Sequence, residues 1–498
     1  MVSFDLSPEY MAAAHLYRRA AFGAPPDVIE SAVQAGIGAT TDSLLNYENT
    51  PDPIDDEAIL VKLQAALPEQ IQARAGDRLP TNLIKLWWTY RLIGSPRPLQ
   101  ENMTLFWHNH FTSKDPGLEG DVMYRQNQLY RQHALGNFRT LTLAVAKDPE
   151  MLRYLNGNQN YKAHPNENFA RELMELFTCG RVNPSGNPNY TEDDVKAGAR
   201  SFSGWNLRGG EFYYNEAQHD NSIKTFMGRT GNFNGDDIID ILVSLPSTAN
   251  YICSKLFRYF AYQTPDPDVM NALVATYYGS GYDIKAVVGL ILKSNAFYSP
   301  EARFALIKSP VDYVVGTVKM AGMAEYFTPP AAELTMANDV ATPLYQPGSP
   351  TGGLQEAFPH RQRRGAMGLI AELVQSFRAM GQDILEPPSV KGWDGGTYWI
   401  NTDSLQARSK FASTISRLPA LPLEDWIPVR GIQPADYNGS SFDAASILNR
   451  LLYQFGPLSP TDNERAILLN YAQSLPDAVQ ATRALLSLIL SMPDYQVC

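Results

Sequence analysis

The chain has 498 residues, 44% apolar and 19% charged, which is globular usage and excludes a chain disordered throughout. Its 41 Lys and Arg stand against 52 Asp and Glu, a net charge of −11, which excludes a nonspecific nucleic-acid binder because phosphate contacts need a basic face. Cys179, Cys253 and Cys498 leave one thiol over from any pairing and match no zinc spacing. No window approaches the roughly 18 uncharged apolar residues of a membrane-spanning helix.

In chain order the pattern is helical. Ser7-Pro8-Glu9 reads as an N-cap, a first-turn proline and a first-turn acid, and Gly23 closes the helix they open. The 3.6-residue apolar period predicts helices at 27–34, 56–64, 82–93, 99–111, 121–134, 138–155 with a break at Pro149, and 166–177. Thr191 with Asp194 resembles a capping box and opens a helix to about 203. Further helices are predicted at 235–244, 247–260, 266–278, 283–296, 309–321, 365–381, 442–455, 461–473 and 477–491. Glu211–Asn215 is the one strand signal, half of a hairpin, and 205–235 and 325–362 read as long loops. Leu290-Ile291-Leu292 leads to Phe297 as Leu488-Ile489-Leu490 leads to Tyr495, a weak internal echo.

The expected fold is therefore mainly α: a large multi-helical single-core domain with long functional loops and at most a minor β-hairpin. Its expected organisation is a body at 1–417, a proline-rich connector at 418–440 and a C-terminal helical piece at 441–498 packed on the body. The opening Met1–Tyr10 has no basic or apolar leader region, so the chain as written is expected to be cytoplasmic, or exported if a signal was removed.

Four segments carry chemistry-bearing side chains. In Phe106-Trp107-His108-Asn109-His110-Phe111 the two histidines point about 200° apart on a helix, and His110 shares the apolar stripe of Met103 and Phe106. An inward histidine needs partners for both ring nitrogens, so His110 is expected to contact Glu167, Glu172 or Glu175, directly or through one ion or water. In Asn166–Phe177 one face is apolar; the other holds Glu167, Asn168, Arg171, Glu172 and Glu175 and no Lys. That face suits a catalytic pair, a cation site or a buried polar network, against the plainer reading of a solvated helix face. His219-Asp220 and Lys224 offer a ligand, an acid and an anion contact in the first long loop. Gly392-Trp393 and Trp399 make a glycine-rich turn that would present flat aromatic faces to a sugar or cation, or simply be pinned by buried indoles. The chain contains no P-loop, dinucleotide fingerprint, His-Glu-x-x-His or Gly-x-Ser-x-Gly elbow.

These segments together resemble one family. Arg18–Gly23 resembles its "R-R-A-x-F-G", Met103–Ser113 its "M-x-x-F-W-H-N-H-F-T", and Asn166–Gly180 its "N-E-N-x-A-R-E-L-x-E-L-F-T-L-G" with Cys179 in place of Leu. Tyr190–Trp205, His219–Phe226, Pro387–Ile400 and Leu490–Gln496 resemble its later motifs in the same order. The family is DUF1800, large bacterial proteins of uncharacterised function. The resemblance implies no activity; it implies an envelope or extracellular setting and a sulfatase-like (DUF1501) neighbour.

Three readings of function stay open. The first is a hydrolytic enzyme acting on a polar polymer or conjugate, with Glu172 or Glu175 as general acid or base, Arg171 beside them and His110 as partner. It leaves open a divalent metal ion held by His110, Glu172, His219 and Asp220. The second is a metal-independent glycan-active enzyme using paired carboxylates and a platform of Trp393 or Trp399, with Lys224 and Asn168 as substrate contacts. The third is a helical binding or scaffold protein whose polar motifs hold the fold. The partner expected for either enzyme is a small-molecule or polysaccharide substrate.

Overall fold

Side-chain caps start half of the α-helices among the described residues. Ser7, Asn137, Asp148, Thr191, Asn234, Asp283, Ser309, Asn401, Asp443, Thr461 and Asp477 each accept from a backbone N–H of the first turn. Each satisfies a donor that the helix itself cannot. The expected capping box at Thr191 and Asp194 is formed. The computed structural model describes residues 7–65, 79–114, 120–330, 366–418 and 442–498. Of these residues, 63% are helical, and their only strands form two small antiparallel hairpins, so the fold is mainly α.

Most helices fall where the apolar period puts them, and the differences have local causes. The stretch 138–155 divides at Pro149 into Phe138–Ala146 and Pro149–Tyr154, the second capped by Asp148. Helix Thr402–Ile415 has no counterpart in the predicted set. Its inward face carries Ser404, Arg408 and Ala412 besides Phe411 and Ile415, which blurs the apolar period. Ile37–Leu45 also escaped, because Thr40 and Thr41 fill buried positions. Glu211–Tyr214 is a hairpin arm, paired with Trp205–Arg208. A second hairpin, Lys224–Phe226 with Arg229–Gly231, lies in the same long loop. Of the predicted loop at 325–362, residues 331–362 lie outside the described residues, as does the connector apart from Leu418.

Among the described residues, buried apolar side chains form two large clusters and a small third. One joins helices Thr81–Gly94, Pro310–Met320, Ala366–Ala379 and Thr402–Ile415 to the C-terminal helices Ala444–Gln454 and Ala478–Ser491. The other joins Phe138–Ala146, Glu192–Phe202, Gly235–Val243, Pro246–Phe260 and Ile284–Lys293. In each cluster an echo aromatic, Phe297 or Tyr495, is fully buried just after its helix. Helix Pro98–His110 lies along the seam. Leu105 belongs to the first cluster, while Leu99, Met103, Phe106 and Trp107 belong to the second. Glu101 anchors this helix. Burial opposes its charge, but Arg131 at 2.7 Å and Arg91 at 2.9 Å more than offset that and hold the carboxyl down to about 2. The functional segments below meet at this seam.

Asp148 gives a stability test. It is buried, accepts from Gln126 at 2.8 Å and caps Glu150 and Met151, and burial pushes its carboxyl up to about 6. A folded-state value raised above the unfolded one favours the neutral acid. Its contribution is therefore fully present below about pH 4 and is lost as pH rises through about 6. Asp148→Asn keeps a cap acceptor without the charge, and is expected to raise stability at pH 8 by on the order of 2 kcal/mol, with no gain at pH 4. Urea midpoints at the two pH values measure it.

Candidate functional site

The predicted helix at 166–177 begins as α over Asn168–Glu172 and widens into a π-helix over Leu173–Phe177. The widening follows from what takes the carbonyls. Thr178 Oγ1 donates to Leu173 O at 2.6 Å, and Gly180 N donates to Met174 O at 2.9 Å from a left-handed conformation (φ +74°). Tyr251 Oη donates to Leu176 O at 3.1 Å. Phe177 O is 3.0 Å from His110 Nε2. Single-turn π segments of this kind are frequent at functional sites, and this one begins directly after Glu172 and carries Glu175.

Glu172 is half-buried. Burial, and then the negative charge of Glu175, push its carboxyl above the usual range, while Arg171 and Lys391 pull the other way. Glu175 accepts from Tyr190 Oη at 2.7 Å; burial, and then this carboxylate, push the phenol upward and keep it a donor. Tyr154 completes the surroundings: Glu172 and Glu150 both act on it.

The charge of Lys391 acts on Glu172, and the turn that carries Lys391 is docked on the end of helix Pro98–His110. Asn109 Oδ1 accepts from Trp393 N at 2.8 Å. Gly392 lies against the same residue in a left-handed conformation (φ +79°), where a Cβ would fall 2.1 Å from Asn109 Oδ1. His108 sits behind the turn, with its ring 5.7 Å from Trp393 and Nε2 accepting from Leu385 N at 3.2 Å; burial pushes it down to about 3. The structure thus brings together Glu172, Glu175 and Tyr190, with the charge of Lys391 acting on Glu172 from the turn that Asn109 holds. A carboxyl whose hold on its proton is raised beside a second carboxylate can give a proton to a leaving group while its neighbour accepts one.

Several expected site residues do other work. His110 contacts none of the three glutamates. It is 2% exposed, and its nitrogens face Phe177 O and Lys255 Nζ at 3.0 and 2.9 Å. A π-segment carbonyl exposed by the widened helix supplies the partner that a carboxylate was expected to supply. Arg171 spends its guanidinium on Glu192 at 2.8 Å and Glu167 at 3.0 Å, and Asn168 is exposed at the helix start. His219 Nδ1 bonds Ser203 O at 2.8 Å and Asp220 pairs with Arg200 at 2.7 Å, so both pin the loop after Glu192–Phe202. The metal set of His110, Glu172, His219 and Asp220 is therefore not assembled. Among the described residues no three His, Cys, Asp or Glu side chains form a metal-holding group. Trp393 and Trp399 are 4% and 3% exposed, so neither indole offers an open face; both serve the core. Cys179 is buried, and burial pushes its thiol up to about 12, far from a thiolate nucleophile.

Lys224 is also structural. Its Nζ donates to Ser222 O, Phe233 O and Asn232 Oδ1 at 3.0, 2.9 and 3.3 Å. Lys224→Met leaves these acceptors without their donor and is expected to cost about 1–3 kcal/mol in thermal or urea unfolding.

Two contributors were passed over in the sequence. Asn109 stood in plain view between two histidines that drew the attention, and Lys391 stood beside a tryptophan. Lys255 has no sequence signal: it is one Lys on an amphipathic helix.

Among the described residues no helix is long and apolar enough to cross a membrane. No curated protein and no solved structure matches the chain. A family model described as "Protein of unknown function (DUF1800)" matches residues 15–497, nearly the whole length and every motif segment above. The chain belongs to that family.

Proposed function

We propose that the protein hydrolyses a polar polymer or conjugate by general acid–base catalysis, with Glu172 as the acid and Glu175 as its partner base or nucleophile. The observation that carries this is the raised carboxyl of Glu172, half-buried beside Glu175 on a π segment. Tyr190 orients Glu175, and Lys391 offers a cation for a substrate oxygen. Paired carboxylates make the glycosidic bond the first class to test. A saccharide substrate and a sulfatase-like (DUF1501) neighbour are the partners that go with this reading.

One observation favours the scaffold reading instead: His108, His110, His219, Asp220 and Lys224 all spend hydrogen bonds on the fold. Turnover decides between the two. The protein is assayed on nitrophenyl glycosides, polysaccharides, and phosphate and sulfate esters, with and without divalent metal. Turnover that disappears in Glu172→Gln supports the enzyme. No turnover on any class, or turnover that survives both Glu172→Gln and Glu175→Gln, overturns it.

A further inference from the structure

Lys255 takes no part in the carboxylate chemistry. It lies on helix Pro246–Phe260, partly exposed, with Nζ 2.9 Å from His110 Nδ1. The other ring nitrogen of His110 is 3.0 Å from Phe177 O. A carbonyl only accepts, so Nε2 carries the hydrogen and Nδ1 is a bare lone pair to which Lys255 donates. The ring of His110 is enclosed by Phe106, Phe111, Phe138 and Phe177; burial, and then the charge of Lys255, hold it neutral. The amine thus faces a neutral imidazole and the Tyr251 ring at 5.3 Å, and the charge that acts on it is that of Arg258 rather than a carboxylate. Burial, then Arg258, push it down to about 8. An ordinary surface lysine carries its charge in water or beside an acid; this one has a protein-held acceptor for one N–H, and no carboxylate is among the groups that act on its charge.

We propose that Lys255 is a nucleophilic amine that captures the carbonyl carbon of a small aldehyde. The free amine adds to the carbonyl carbon, forming the C–N bond. The carbonyl π pair moves to oxygen, which takes a proton from nitrogen and gives a carbinolamine. The nitrogen lone pair then expels the hydroxyl, which leaves with the remaining N–H proton as water, and an imine remains. No oxidant or reductant is required. His110 is a positioning residue, holding the amine by one N–H before attack.

The test uses the full folded chain with glycolaldehyde and sodium cyanoborohydride, which reduces the imine to a stable adduct, followed by peptide mapping by mass spectrometry. Lys255 should carry adduct at least about tenfold faster at pH 7 than exposed Lys62 and Lys196, because more of it is free base. Labelling should rise with pH through about 8. Lys255→Arg keeps a donor for His110 and should remove this adduct alone. Glu172→Gln should leave the labelling rate unchanged, which separates this proposal from the hydrolytic one. Labelling of Lys255 no faster than that of Lys62 and Lys196 in folded protein overturns the assignment.

Discussion

Glu172→Gln is expected to lower turnover by about 10²- to 10⁴-fold, the usual contribution of a positioned general acid, without unfolding the protein. It should also raise the melting temperature at pH 7. Both effects have one origin. The Glu172 carboxyl is raised by burial and then by Glu175, so the fold favours its neutral form. Its favourable contribution is complete below the unfolded value of about 4.3 and is lost as pH rises through the folded value. At pH 7 the charged form is a cost that the neutral, isosteric Gln does not carry. The rate of the wild-type protein should fall on the alkaline side as Glu172 loses its proton. In Glu175→Gln, which removes the neighbouring charge, the residual turnover should show that fall at lower pH. Profiles of kcat/KM against pH and scanning calorimetry at pH 4 and 7 measure the two halves of this expectation.

Gly392→Ala is expected to detach the turn that completes the site. At φ +79° an L side chain costs about 1–2 kcal/mol on conformation alone. The added Cβ would also fall 2.1 Å from Asn109 Oδ1 and 2.6 Å from Asn109 O. The second contact is backbone at the end of helix Pro98–His110 and has no rotamer through which to yield. The turn must lift, breaking the bond from Trp393 N to Asn109, uncovering an indole and moving Lys391 away from Glu172. The melting temperature should drop by several degrees, tryptophan fluorescence should shift to the red, and turnover should fall with it. An alanine variant with wild-type melting and emission would show that the turn is not held by Asn109.

How much of this was legible in the sequence depended on whether the deciding contact was local. Caps such as Thr191 with Asp194 act within four residues, and the helices they open were readable. Helix Thr402–Ile415 was not, because Arg408 and Ser404 occupy its inward face and bond partners far along the chain or across the turn. The π segment was not readable either. Leu173-Met174-Glu175-Leu176-Phe177 keeps an α-helical apolar pattern, and the widening depends on Thr178, Gly180, His110 and Tyr251 as carbonyl donors. At the site, Glu172 and Glu175 stood out as a polar face without Lys, which a local pattern can show. Lys391 belongs with them only through the docking of a distant turn. His219, Asp220 and Lys224 misled for the converse reason: residue types that suit catalysis also suit the stapling of a long loop to a helix end.

Burial and the charge of Glu175 raise the Glu172 carboxyl above the ordinary glutamate range. Its most direct measurement is an NMR titration of the side-chain carboxyl carbons in glutamate-labelled protein, with Glu172 assigned by its loss in Glu172→Gln. The expected result is a Glu172 midpoint above the ordinary glutamate range, falling when Glu175 is replaced by Gln. A midpoint at the ordinary value of about 4.3, unmoved by Glu175→Gln, would contradict it.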